Sequence, residues 1–130
     1  MRGKHLKRYT PNDFYFDIAR AVRKIRTDAD IHAWSDSTEP HSFTRYQELG
    51  IHMHLGGDVL EAMSHFSAAN LFVMGISSFS FVPALLNPRC VLYQSSIGVG
   101  GIWVDRIQQW INAGEEGYWG KIEACCDRFP

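Results

Sequence analysis

A chain of 130 residues, 45% of them hydrophobic, is long enough to bury a core and too short for two domains of ordinary size, so it reads as one globular domain over residues 1–130. The formal net charge of −1, with 13 basic against 14 acidic residues and an isoelectric point near 6.6, excludes a general nucleic-acid binder, whose basic face lifts that point well higher. The longest apolar stretch, residues 71–86, is broken by serines, Gly75 and Pro83, and the N-terminus is charged without an apolar run, so neither a membrane span nor a signal peptide is read and a cytoplasmic location is expected.

Thr10, Pro11 and Asp13 place a hydroxyl cap, a proline at the first helical position and an acid three residues after the cap, which starts a helix. Phe14, Ile18, Val22 and Ile25 recur at helical spacing and carry it to about residue 26, with the arginines outward. Residues 31–35 predict a short strand, followed by a polar loop that begins at Asp36. An amphipathic turn over 43–49, stopped by Gly50, leads to a second strand at 51–55. Asp58 and Glu61 form a capping box opening a helix with Val59, Ala62, Met63 and Phe66 inward. Residues 71–74 predict a third strand, 78–86 a serine-headed helix ended by Asn87 and Pro88, and 90–93 a fourth strand. A Ser/Gly-rich loop over 94–101, a helix over 104–113, a turn over 114–117 and a short final helix from Tyr118 complete the chain. Short apolar strands alternating with helices predict an α/β, Rossmann-like fold: a mostly parallel sheet of about four strands with helices on both faces.

Chemistry concentrates where the third strand breaks into Ser77, Ser78, Phe79 and Ser80. Hydroxyls at a helix start, beside unpaired N–H groups and the positive end of the dipole, suit a phosphate; plain capping is the competing reading of the same serines. His52 and His54, two apart in a strand, share a face and make the first half of a metal site whose second half is not legible; ordinary half-buried histidines explain them better. Three cysteines, two of them adjacent at 125 and 126, give no disulfide framework and no C-x-x-C pair, which fits a reducing compartment. The turn around Ser78 lacks the G-x-S-x-G elbow of a hydrolase, and the glycine run at 95–101 lacks the phosphate-loop order.

The succession of residues 31–36, 51–55, Asp58 with its helix, 69–86 with the Ser-Ser-Phe-Ser turn, and 91–93 resembles the C-terminal, nucleotide-sugar-binding half of fucosyltransferase-like glycosyltransferases, across roughly residues 8–118. Trp110-Ile111 followed by Gly117-Tyr118 resembles a Trp-Ile and Gly-aromatic pair of that family. The resemblance implies a metal-independent enzyme without a cofactor, whose partners are a GDP-fucose-like donor and a glycan or other hydroxyl acceptor. It places Ser77, Ser78 and Ser80, with Phe79 in the same turn, at the diphosphate, Asp58 near the guanosine, and Asp36 in the acidic lining of the donor pocket. Family members open this domain with a central strand ending in a His-x-Arg-Arg-Gly-Asp-like motif. Arg2 and Gly3 align with its Arg-Gly, Lys4 stands where an acid is expected, and the strand and an N-terminal domain are missing. The expectation is therefore an N-terminally truncated transferase domain lacking most of its arginine motif. The alternative is a non-catalytic Rossmann-like module that binds nucleotide or dimerises through the sheet edge left open.

Overall fold

The computed structural model describes residues 12–35, 43–75, 80–94 and 110–128. It is α/β with parallel strands, as the alternation of elements predicts, in the order α1 (Asn12–Ile25), β1 (His32–Ser35), α2 (Thr44–Glu48), β2 (His52–Leu55), α3 (Val59–Ala68), β3 (Leu71–Val73), α4 (Phe81–Leu86), β4 (Cys90–Tyr93), β5 (Ile111–Asn112) and α5 (Tyr118–Arg128). The chain forms two compact units that divide within α3, one over Pro11–Ala62 and the other from Met63 onward. The described strands lie in two parallel sheets, β1-β2 and β3-β4-β5, where the sequence predicts about four strands in one. Among the described residues no helix is long and apolar enough to cross a membrane.

In the first unit, α1 carries Asp13 in its first turn and Arg23 and Lys24 in its last, each sign matching the dipole end it sits on. Strand alternation then sorts β1 and β2. Ile31, Ala33, Ile51 and Met53 pack with Phe16, Ala19 and Tyr46 in the core, so the even-numbered residues of both strands take the opposite face. The rings of Phe16 and Tyr46 meet edge to face at 4.7 Å, and the buried Tyr46 donates its hydroxyl proton to Asn12 Oδ1 at 2.8 Å. The Arg23 guanidinium donates to the carbonyls of Leu49 and Gly50, fastening α1 to the turn before β2. Gly50 has φ +73°, a left-handed conformation that favours glycine, and a Cβ there would stand 3.0 Å from the Arg23 guanidinium.

The second unit buries Phe72, Met74, Ala84, Val91, Tyr93 and Trp110 together. All four residues of β4 are buried, as a central strand covered on both faces demands. Two expectations are corrected here. Residues 111–112 are a strand, not the end of a helix, because Ile111 pairs beside Leu92 and is only 5% exposed. Cys90 and Cys125 form a disulfide across 35 residues of sequence, with Cα atoms 6.0 Å apart. In α3, Ala62 is buried and Phe66 reaches the core, whereas Val59 faces out with 52% of its surface exposed.

Candidate functional site

β3 leads through Met74, whose N–H donates to the Leu92 carbonyl at 2.9 Å, to Gly75 and the serine turn. Ser77, Ser78 and Phe79 lie outside the described residues. Ser80 stands immediately before α4, is 5% exposed, and donates its hydroxyl proton to the Gly75 carbonyl at 3.1 Å rather than capping the helix. It thus links the start of α4 to the residue where the described chain after β3 ends. Asp58 is exposed and accepts the Leu60 N–H at 2.8 Å, while its carbonyl accepts the Ala62 N–H at 3.0 Å, so it caps α3 as its spacing to Glu61 predicts. Arg2 and Asp36 lie outside the described residues. Of the seven sequence-predicted site residues, the described structure therefore places Asp58 and Ser80, each in a hydrogen bond local to its own turn.

A second constellation stands on the outer face of β1 and β2. The parallel register sets His32 beside His52 and Trp34 beside His54, and all four side chains share the face opposite the core. Their rings form a stack: His32 and His52 at 4.8 Å, His32 and His54 at 5.1 Å, and Trp34 and His54 at 4.3 Å with only 9° between the planes. Asp30, one strand period before His32, extends the row. Its Oδ2 lies 3.1 Å from His32 Nε2 and its Oδ1 3.3 Å from His52 Nε2. The hydrogen bond from His32 holds the Asp30 carboxyl below the usual carboxylate range; desolvation opposes this, and the charges of His32, His52 and Arg23 reinforce it. His32 Nδ1 and His54 Nε2 are 2.8 Å apart, so one of these nitrogens carries the proton they share.

Sequence reasoning singled out His52 and His54 and missed Asp30 and His32. The missing signal was the alternation of Asp30, His32 and Trp34 next to that of His52 and His54, which becomes a single row once the strands are paired in parallel without offset. No family model, curated protein or solved structure matches the chain.

Proposed function

We propose that the chain is the nucleotide-sugar-binding part of a fucosyltransferase-like glycosyltransferase that takes a GDP-sugar donor. The observation that carries this reading is the set of strand pairings. A doubly wound sheet runs third, second, first, fourth, fifth, sixth. Taking β1 to β5 as its second to sixth strands, the pairings β1·β2, β3·β4 and β4·β5, all parallel, are those such a sheet makes on the two sides of its first strand. In a sheet of that order ligands bind beyond the carboxyl ends of the strands where the order reverses, and the turn after the fourth strand stands at that point. Here that turn is the serine run between β3 and α4.

On this reading an acceptor hydroxyl attacks the anomeric carbon of the donor sugar and the nucleoside diphosphate departs. Ser77 and Ser78 hydrogen-bond the phosphates, Ser80 holds the start of α4 to Gly75, Asp58 lies at the nucleoside, Asp36 belongs to the acidic lining of the donor pocket, and Arg2 offsets the charge building on the diphosphate. Calorimetric titration with GDP and GDP-fucose tests it. Saturable binding is expected, weakened about a hundredfold in a Ser77→Ala/Ser78→Ala variant, which is two hydrogen bonds to a charged group at about 1.5 kcal/mol each. No heat at millimolar ligand discards the reading.

A second reading is favoured by the strand order among the described residues, which stops at β1 in one sheet and at β3 in the other. Such edges accept a strand from a second copy or a partner, which makes the chain a non-catalytic docking module. Light scattering on the eluting protein separates the two: a dimer blind to GDP supports the module, and a monomer that binds GDP opposes it.

We also propose a cytoplasmic setting, against which the Cys90–Cys125 bridge stands, since such bridges belong to oxidising compartments. Thiol counting on denatured protein from its native cells decides. Three titratable thiols place the chain in a reducing compartment; a single thiol, Cys126, places it in an oxidising one.

A further inference from the structure

We propose that Asp30, His32 and His52 bind a divalent transition-metal ion of borderline softness, with zinc as its natural probe, and that His54 positions the imidazole of His32. The inference is independent of the nucleotide-sugar reading, which needs no metal. One potential ligand atom from each of the three residues lies within 4.8 Å of the others, a spacing that a single ion at ordinary ligand distances closes with small side-chain rotations. The side chains meet for a backbone reason. Register sets His32 against His52, and Asp30 precedes His32 by one strand period, so three donors converge without any loop having to fold over them.

The donor set selects the ion. Two imidazole nitrogens and one carboxylate oxygen suit zinc, nickel or copper(II), whereas calcium and magnesium call for all-oxygen shells. Proton placement fits as well. The ion takes the place of the Nε2 proton that His32 gives to Asp30 at 3.1 Å, and the proton kept on Nδ1 is then donated to His54 Nε2 at 2.8 Å. Trp34, stacked on His54 at 4.3 Å with 9° between the planes, holds that acceptor ring parallel to its own. The side chains of Asp30 and His52 are 72% and 65% exposed, so an ion reaches the site from solvent and keeps positions for water or an exogenous ligand.

The test is calorimetry of the chelator-stripped full chain with zinc chloride. One ion per chain is expected at this site. Asp30→Asn, His32→Ala and His52→Ala each weaken it more than tenfold, and His54→Ala weakens it roughly tenfold, the usual effect of losing a hydrogen-bond partner to a ligand. His65→Ala, a change outside the cluster, leaves affinity as it was. Nitrogen NMR of the unmutated protein gives a reading that no folding defect can disturb, with zinc shifting the Nε2 resonances of His32 and His52. Unchanged zinc affinity in His32→Ala and His52→Ala, or Nε2 resonances that stay fixed under saturating zinc, overturns the proposal.

Discussion

Replacing Cys90 and Cys125 together by alanine is expected to destabilise the second unit by about 4 kcal/mol, the chain-entropy value for a closed loop of intermediate length. The bridge spans 35 residues of sequence and joins the first residue of β4 to the eighth of α5. Apart from the bridge, α5 is held by a narrow apolar face, with Ile122 fully buried and Cys125 4% exposed. Burying one isoleucine contributes on the order of 2–3 kcal/mol and the half-buried Tyr118 and Trp119 add to it, so the cross-link and the packing are of comparable size. Because the chain has two units, the readout must be local. Hydrogen exchange of the β4 amides serves, since their protection is expected to fall in the double variant and in the reduced wild type alike. Reductant added to the double variant should then change nothing more. A loss below about 1 kcal/mol would mean that packing alone seats α5, and that the bridge is incidental to the stability of the unit.

The parts of this molecule legible from sequence are those decided within a few residues. The Asp58 cap of α3, the stop at Gly50 and the alternation in residues 31–35 and 51–55 depend on neighbours in the chain, and the observed strands His32–Ser35 and His52–Leu55 fall within one residue of those bounds. What escaped depends on pairings made at a distance. Ile111 sits in a segment with helical spacing and becomes a strand only because β4 offers it an edge, a choice that no local pattern contains. Cys125 and Cys126 look equivalent in sequence. One helical step turns the first into the core and leaves the second half-exposed, and only the first then meets Cys90. The histidine row follows the same logic: each half reads as an ordinary strand face, and the site exists only in the register between them.

The Asn87→Ala variant is expected to lose about 3 kcal/mol, more than its exposed neighbours would suggest, because a single amide closes the corner between α3, α4 and β4. Asn87 is 7% exposed; its Nδ2 donates to the carbonyls of Phe66 at 2.8 Å and Ala69 at 3.0 Å, and its Oδ1 accepts the Arg89 N–H at 2.7 Å. The Phe66 carbonyl belongs to the last turn of α3, where a helix has no internal donors left, and Ala69 follows the helix directly, so removing the amide strands polar groups rather than merely deleting bonds. The backbone here is extended, with φ −79° and ψ 115°, as expected before Pro88, so alanine fits the conformation and the loss reports on the side chain alone. Asn87→Asp separates the two halves of the clamp, since it keeps the acceptor for Arg89 and removes both donors. If the donor bonds dominate, urea denaturation will show Asn87→Asp at least as destabilised as Asn87→Ala, because a carboxylate is then set against two carbonyl oxygens. If instead Asn87→Asp stays within about 1 kcal/mol of wild type, the end of α3 is held without the Asn87 amide, by the Arg89 guanidinium on the Ala68 carbonyl at 3.1 Å and by the packing of Phe66 against Phe72.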